Sequence, residues 1–270
     1  MTDAPVTHTA WTEALRQDRP RFGMWIASGD TYTAEICAGA GLDWLLLDLE
    51  HAPNDIRSTL AQLQATAAYP VHVVVRAPDG DPVMIKRLLD IGVTDLMVPM
   101  VDTAEEAAAL VAATRYPPAG IRGVGSALSR ASRWNRTPGY LTVADTTVSL
   151  TVQVESTAGL AELPAITRTD GVDAVFIGPA DLAASMGHLG RPEHPDVVAT
   201  IARSIGIIKD AGAFAGVNAF NPDLVETYTA AGADFVLVGA DVAILARGSE
   251  ALATRYITDS THPTLDSGAH

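Results

Sequence analysis

The sequence of 270 residues predicts an α/β fold built as a single (β/α)8 TIM barrel, and three observations support this prediction. Eight short apolar segments alternate with eight segments of helical periodicity. The apolar segments are almost continuously apolar, which is typical of parallel strands that are buried on both faces. Glycine follows several helical segments directly before the next apolar segment, which is the usual signal for a helix end. One barrel of this kind takes roughly 250 residues.

The predicted elements alternate along the whole chain. The predicted strands are residues 23–27, 44–50, 72–76, 95–100, 149–155, 173–178, 213–218 and 234–239. The predicted helices are residues 32–40, 55–67, 82–91, 104–114, 157–166, 195–211, 222–231 and 242–256. We expect one domain over residues 1–270, with its core at about 22–256 and loose tails at 1–10 and 260–270. The connection at residues 102–148 is unusually long, which predicts a functional loop or an interface element.

Composition and charge exclude several classes of protein. The chain is 48% hydrophobic and only 19% charged, which excludes a disordered chain. Its net charge of −14 argues against a nucleic-acid or anionic-membrane partner, because phosphate groups attract clustered cations. No segment has the roughly 20 apolar residues of a membrane span, and the first residues lack the features of a signal peptide. The single cysteine, Cys37, cannot form an intramolecular disulfide, so we expect a cytoplasmic protein.

The carboxyl ends of the predicted strands carry a set of polar residues. In (β/α)8 barrels these ends form the mouth of the active site, so we expect their side chains to converge there. The candidates are Asp48, Glu50 and His51 after the second strand, Arg76 after the third, Gln153 and Glu155 after the fifth, and Gly178, Pro179, Ala180 and Asp181 after the sixth.

Glu155 and Asp181 predict a metal site, because they follow neighbouring strands of the barrel. Two carboxylates with open positions suit a hard divalent ion such as Mg²⁺ or Mn²⁺. The alternative is that Asp181 caps the helix that follows it and that Glu155 pairs with an arginine. The backbone N–H groups of residues 178–181 predict a turn that binds a carboxylate or phosphate, with an ordinary strand-to-helix turn as the alternative.

Arg76 and His51 are the candidates for charge stabilisation and proton transfer. Arg76 ends an apolar strand, where it either holds an anion or enolate or forms an ion pair with Glu155 or Asp48. His51 follows two acids, and a carboxylate beside an imidazole is the arrangement of a general base. A polar surface histidine is the alternative interpretation of His51.

Three long motifs give the chain a family resemblance. They are EHAPND at residues 50–55, RYPPAGIRGVG at 115–125 and GPADL at 178–182, and VQVE at 152–155 accompanies them. These motifs, in this order and without a visible gap from about residue 22 to 256, closely resemble the HpcH/HpaI aldolase family. Within it the sequence is most similar to the 4-hydroxy-2-oxoheptanedioate aldolases. Leu49 departs from that pattern, because the closest subgroup has a small residue there.

The resemblance implies a class II aldolase that reversibly cleaves 4-hydroxy-2-oxoacids to pyruvate and an aldehyde through a pyruvate enolate held by a divalent metal. Glu155 and Asp181 match the metal ligands, His51 matches the catalytic histidine, and Arg76 matches the arginine beside the pyruvyl oxygen. The other matches are Gln153, Trp25, Gly178, Pro179, Ala180 and Asp181 at the substrate, with Asp48 and Asp90 supporting the histidine. Asp90 is expected to come from a neighbouring subunit. The implied cofactor is Mg²⁺ or Mn²⁺, with Co²⁺ a third candidate and no organic cofactor.

The distribution of lysines agrees with a metal-dependent mechanism. An aldolase stabilises the carbanion either through a lysine Schiff base or through a metal ion. Lys86 and Lys209 are the only lysines, and both lie in predicted helices away from the strand ends. The sequence therefore offers no lysine for a Schiff base.

Three alternative functions stay open. A 2-keto-3-deoxy sugar-acid aldolase of the same family would share the residues at the strand ends. A citrate-lyase-like enzyme would act on acyl-CoA thioesters, and an inactive barrel would serve as a binding protein. For the aldolase interpretation, the expected partners are small-molecule substrates. The resemblance also implies a homo-hexamer, built as a dimer of trimers whose subunits exchange the last helix.

Overall fold

The computed structural model describes residues 9–257, and its eight strands form one closed barrel in which all neighbours are parallel. The strands follow one another around the barrel in chain order. They are β1 (Arg21–Ile26), β2 (Trp44–Asp48), β3 (His72–Arg76), β4 (Asp95–Val98), β5 (Ser149–Val154), β6 (Ala174–Ile177), β7 (Phe214–Asn218) and β8 (Phe235–Ala240). The predicted α/β barrel is therefore confirmed, and each strand end lies within two residues of its predicted position.

Helices connect the strands, and the eight predicted helices are all present. The helices are α1 (Ala10–Leu15), α2 (Thr31–Ala38), α3 (Ile56–Ala65), α4 (Pro82–Asp90), α5 (Ala104–Thr114), α6 (Tyr140–Val143), α7 (Thr157–Thr167), α8 (Pro179–Ser185), α9 (Pro195–Asp210), α10 (Pro222–Ala230) and α11 (Asp241–Tyr256). Side-chain oxygens of Asp30, Asp55, Thr103, Ser156 and Asn221 accept backbone N–H groups at the starts of α2, α3, α5, α7 and α10. These caps satisfy backbone donors that have no partner within the helix.

Alternation along the strands places the polar candidates inside the barrel. Trp44 and Leu46 on β2 belong to the apolar cluster that fills the barrel interior, and Val74 on β3 belongs to it as well. Because every second residue of a strand points to the same side, Asp48 and Arg76 continue these inward rows at the carboxyl ends of β2 and β3. The same end of every strand opens at one mouth, since all strands are parallel. The barrel interior is thus apolar along most of its length and charged at the mouth, where the strands have their carboxyl ends.

A short N-terminal helix closes the opposite end of the barrel. Trp11 of α1 is 1% exposed, and its ring lies 5.3 Å from Trp44 and 5.5 Å from Phe235 between centroids. Thr9 caps α1, so the expectation of a loose tail at residues 1–10 is wrong for residues 9 and 10. A helix of six residues is too short to give a periodic sequence signal. The rest of both predicted tails lies outside the described residues.

The long connection between α5 and β5 contains α6 and an unusual backbone segment. Arg133, Trp134 and Asn135 have φ angles of 53°, 56° and 61°, so three consecutive residues with side chains adopt the left-handed conformation. Such residues are uncommon and require support from the structure around them. Within residues 9–257, no helix combines the length and apolar character needed to cross a membrane.

Candidate active site

A buried arginine organises one side of the barrel mouth. Arg76 is 5% exposed and forms a bidentate ion pair with Asp48, at 2.9 Å from Nε to Oδ1 and 2.8 Å from Nη2 to Oδ2. Its remaining nitrogen, Nη1, lies 2.7 Å from Oε2 of Glu50. The planar guanidinium group presents donors that match a carboxylate in this way, and the two acids hold it rigidly. The sequence predicts that Arg76 either binds an anion or pairs with Glu155 or Asp48, and the structure contains the ion pair with Asp48.

An aromatic ring covers the same guanidinium group. The carbon at the centre of the Arg76 guanidinium lies 4.4 Å from the ring centroid of Trp25, which is a cation–π contact. The indole N–H of Trp25 donates to Oδ1 of Asn218 at 3.0 Å. Trp25 therefore lies at the mouth, held between Arg76 and Asn218. Asn218 is not among the site residues predicted from the sequence, although it is polar and ends the seventh predicted strand, the same signal that predicts Arg76.

A second buried group lies on β5 and directly after it. Glu155 is 2% exposed, and its Oε1 accepts the backbone N–H of Met100 at 2.9 Å. The side-chain amide of Gln153 donates to the other oxygen, Oε2. Met100 has a φ angle of 58°, which orients its N–H group toward Glu155 and which no sequence signal predicts. Oε1 of Gln153 is buried without a hydrogen-bond donor among the described residues.

Burial and nearby acids make this part of the mouth suitable for a cation. The pKa of Glu155 is raised from 4.5 to about 7, chiefly by burial and also by the negative charges of Glu50 and Asp181, while the hydrogen bonds from Gln153 and Met100 act in the opposite direction. Burial also raises the pKa of Glu50, although the charge of Arg76 opposes this. Neighbouring buried carboxylates are costly to ionise, and a cation that binds between them removes this free-energy cost. The donor set of Glu155 and Asp181, all oxygen, fits Mg²⁺ or Mn²⁺.

The turn at residues 178–181 begins α8 beside Glu155. Gly178 is the N-cap residue, and no side chain caps this helix, so its first N–H groups are not satisfied by a capping side chain. A Cβ atom on Gly178 would collide with the Glu155 carboxylate and would lie 3.1 Å from Nε2 of Gln153, so only glycine allows this close approach. Asp181 lies in the first turn of α8 and is exposed. The open N–H groups near Ala180 and Asp181 are available to a carboxylate ligand.

His51 is the most exposed of the predicted catalytic groups. Its side chain is 67% exposed, and its Nε2 lies 3.6 Å from Oε1 of Glu50. Glu50, which the prediction placed at the strand end without a role, thus contacts both His51 and Arg76. An exposed imidazole at the mouth can exchange protons with a bound substrate.

The two acids predicted to support His51 have other partners within this chain. Asp48 binds Arg76 and accepts the backbone N–H of Glu50 at 2.9 Å. Asp90, the last residue of α4, accepts a hydrogen bond from Nη2 of Arg122 at 3.2 Å. In the described chain the acid next to His51 is therefore Glu50, and the predicted contribution of Asp90 from a neighbouring subunit stays a prediction.

A separate group of metal-type ligands lies outside the mouth. His188, His194 and Asp196 bring one ligand atom each to within 4.8 Å of one another. Nδ1 of His194 accepts the backbone N–H of Asp196 and so caps α9, and Arg191 lies 3.4 Å from Nδ1 of His188. A helix N-terminus and an arginine both disfavour a cation. The group is thus explained as the cap of α9.

The fold and the mouth together define a (β/α)8-barrel protein with a carboxylate-rich active-site entrance around one buried arginine. The chain belongs to the HpcH/HpaI aldolase/citrate lyase family, whose model matches residues 21–247. The resemblance inferred from the sequence motifs is therefore confirmed.

Two named relatives and a solved structure are similar to this chain over nearly its full length. The chain is 53% identical to a 4-hydroxy-2-oxo-heptane-1,7-dioate aldolase of Klebsiella pneumoniae, covering 95% of this chain and 97% of that protein. It is 58% identical to a hydroxypyruvate/pyruvate aldolase of Deinococcus radiodurans, covering 93% and 91%. The structure of an HpcH/HpaI aldolase/citrate lyase family protein from Burkholderia cenocepacia superposes with a TM-score of 0.87 at 41% identity, covering 92% and 99%.

Proposed function

We propose that this protein is a class II pyruvate aldolase, a carbon–carbon lyase that reversibly cleaves 4-hydroxy-2-oxoacids. The favoured substrate is 4-hydroxy-2-oxoheptanedioate, which would give pyruvate and succinic semialdehyde. The observation that carries the proposal is the buried Glu155 carboxylate, with its pKa raised to about 7 among other acids at the mouth of a barrel of this family. Relatives at 53% and 58% identity that are named as aldolases support it.

Glu155 and Asp181 would hold a divalent cation, Mg²⁺ or Mn²⁺ in the first instance. When bound, such an ion supplies positive charge that stabilises an anionic oxygen of the substrate. The unpartnered Oε1 of Gln153 lies beside this position and would accept a hydrogen bond from a ligand hydroxyl or water. The N–H groups of Ala180 and Asp181 would bind the substrate carboxylate.

Arg76 would stabilise the negative charge that develops when the C3–C4 bond of the substrate breaks. The electron pair of that bond stays on C3 and delocalises onto the 2-oxo oxygen. Because Asp48 and Glu50 hold the guanidinium in place, it needs no reorganisation as this charge develops. Trp25 packs on the guanidinium and shields it from water.

His51 would accept the proton of the C4 hydroxyl group as the aldehyde leaves. Glu50 lies 3.6 Å from its Nε2 and would stabilise the imidazolium that forms. Protonation at C3 of the enolate then gives pyruvate, so one proton leaves oxygen and one proton arrives at carbon. The cycle is balanced without an oxidant or reductant.

The experiment that tests the function is pyruvate release from 4-hydroxy-2-oxoheptanedioate, coupled to lactate dehydrogenase. We expect release with Mg²⁺ or Mn²⁺ and its loss with EDTA. Release that survives EDTA would contradict the metal dependence, and the absence of release with metal bound would contradict this substrate. Asp181→Asn should abolish release, and Asp196→Asn is the matched control because Asp196 also lies in the first turn of a helix but has His188 and His194 as its neighbours.

A second donor is supported by the relative from Deinococcus radiodurans, whose name includes hydroxypyruvate. In the synthetic direction, hydroxypyruvate and pyruvate would compete as donors for one aldehyde. A kcat/KM that is higher for hydroxypyruvate than for pyruvate would identify hydroxypyruvate as the preferred donor. The same screen with sugar-derived aldehydes separates the 2-keto-3-deoxy sugar-acid alternative, and a test with acyl-CoA thioesters separates the citrate-lyase-like alternative.

The proposed assembly is a hexamer that exchanges α11 between subunits, and the proposed compartment is the cytoplasm. Among the described residues of α11 only Asp241 is buried, while Ile244, Leu245, Leu252 and Tyr256 are exposed by 58% or more. An apolar helix surface of this kind is typical of a subunit interface. Light scattering after size exclusion measures the mass, and a monomer of 28.2 kDa would contradict the proposal.

A further inference from the structure

A cavity lies at the foot of the barrel, at the opposite end from the active-site mouth. It has a volume of about 250 Å³. One wall comes from the residues just before β4 and β5, and the other comes from the long connection between α5 and β5. The lining residues that matter here are Arg130, Arg133, Thr137, Tyr140, Val143 and Val148. Since the polypeptide enters β4 and β5 here, the cavity is separate from the strand ends that carry Glu155.

Two arginines face this cavity without an acid to neutralise them. Within residues 9–257, neither Arg130 nor Arg133 has a carboxylate within ion-pair distance. Burial and the positive charge of Arg133 both lower the pKa of Arg130. The neighbouring Arg122 differs, because it pairs with Asp90. The half-buried Arg130 and the exposed Arg133 therefore place two positive charges beside each other with no acid partner among the described residues.

The surrounding backbone holds the side chain of Arg130, and the backbone of Arg133 adopts an unusual conformation. Nη1 of Arg130 donates to the carbonyl oxygen of Ile91 at 2.8 Å. A Cβ atom on Gly92 would lie 2.7 Å from that nitrogen, so this position of Arg130 requires glycine. Arg133 begins the left-handed segment, and Ser132 supports the segment by accepting the N–H of Asn135 at 3.0 Å. Residues with side chains in the left-handed conformation are strained, and such strain is typical of functional sites.

The rest of the cavity is apolar with a few hydroxyl groups. Val143 and Val148 form an apolar wall, and Thr137 and Tyr140 supply hydroxyl groups near the arginines. Inorganic phosphate would contact the arginines but not the apolar wall, whereas a carboxylate with an aliphatic chain would contact both. The volume lies below the range of about 300–1,000 Å³ that is usual for drug-sized ligands, which favours a ligand of few carbon atoms.

We propose that this cavity is a binding site for a small aliphatic monocarboxylate, with the carboxylate on Arg130 and Arg133 and the chain against the valines. Arginine binds carboxylates through paired, charge-assisted hydrogen bonds. The site is independent of the proposed aldolase reaction, because none of its residues lies at the mouth. Its occupancy is therefore measured by binding and not by turnover.

The test is a titration of the Mg²⁺-loaded protein with 4,4,4-trifluorobutyrate, followed by ¹⁹F NMR. We expect saturable binding of one ligand per chain, with the same affinity after Mg²⁺ is removed, since the mouth is not involved. Arg133→Gln should weaken binding roughly ten- to hundredfold. The matched control is Arg136→Gln, an exposed arginine of the same segment that packs on Trp134 outside the cavity, and it should bind as the wild type does.

Each other outcome would overturn the proposal. Absence of saturable binding, binding that needs Mg²⁺, or equal losses in the two arginine variants would each contradict a carboxylate site at the foot. Stronger competition by inorganic phosphate than by butyrate would assign the site to phosphate instead. Val143→Asp places a negative charge at the half-exposed apolar wall and should abolish binding while aldolase activity and the circular dichroism spectrum are retained.

Discussion

Replacing Glu155 with glutamine should stabilise the metal-free protein while removing its activity. In the metal-free state the pKa of Glu155 is raised from 4.5 to about 7, mainly by burial. Each unit of pKa shift corresponds to about 1.36 kcal/mol, so the ionised carboxylate costs roughly 3 kcal/mol of folding free energy above neutral pH. Glu155→Gln removes that cost. The new amide can accept the N–H of Met100 and, once the Gln153 amide turns by 180°, donate to the otherwise unpartnered Oε1 of Gln153.

The sign of the effect follows from proton binding. Between the unfolded pKa of 4.5 and the folded pKa of about 7, the native wild type holds a proton on Glu155 that the unfolded chain has lost. The free energy of unfolding of the wild type therefore falls as pH rises through this window. Glu155→Gln has no such group. Its stability advantage should grow from near zero at pH 4.5 to roughly 3 kcal/mol near pH 8.

Urea denaturation in EDTA measures this effect. Wild type and variant are compared near pH 5 and near pH 8, at equal protein concentration because assembly contributes to stability. Saturating Mg²⁺ should reverse the order near pH 8, since it stabilises only a native state that binds it. A difference in unfolding free energy that is independent of pH would refute the reasoning. So would a variant that is less stable than the wild type near pH 8.

Three further substitutions test other parts of the structure. His51→Ala should lower kcat roughly 10²- to 10⁴-fold with metal affinity unchanged, as kinetics and calorimetry would measure, and unaltered turnover would exclude a role as base. Arg76→Ala should stop both cleavage and pyruvate proton exchange, and normal exchange would contradict the role of Arg76 in stabilising the enolate. The same variant should destabilise the fold by about 3–5 kcal/mol, because Asp48 and Glu50 lose their buried partner. Trp11→Ala should cost about 3–5 kcal/mol in urea denaturation with kcat retained, and a marginal loss would mean that α1 does not close the barrel.

The barrel could be predicted from the sequence because each buried parallel strand leaves a continuous apolar segment. The mouth followed from the same pattern, since a polar residue at the end of such a segment, such as Arg76 or Glu155, has no place in the core. Asn218 meets this criterion too, since it is the polar residue that ends the apolar segment of β7. Helix α1 was missed because six residues cannot display a helical period, although its Trp11 is among the most buried side chains.

The choice among possible partners for a charged residue could not be made from the sequence. Asp48 was a candidate both as ion-pair partner of Arg76 and as support for His51, and it forms the bidentate pair with Arg76 because β2 and β3 are in register at these two residues. The register depends on how neighbouring strands hydrogen-bond and not on the pattern within either strand. The left-handed backbone of Met100 is likewise invisible in the sequence, since methionine has no preference for it.

The balance of charge at the mouth explains why a cation should bind before the substrate. Asp48 and Glu50 already neutralise the guanidinium group of Arg76, and Glu155 lies close enough to Glu50 and Asp181 for their charges to raise its pKa. An anionic oxoacid would therefore meet net negative potential at the metal-free mouth. A divalent cation between Glu155 and Asp181 would reverse that potential and release the penalty that raises the pKa of Glu155. Pyruvate affinity measured by calorimetry should thus depend steeply on prior Mg²⁺ binding, and equal affinity in EDTA would contradict this order.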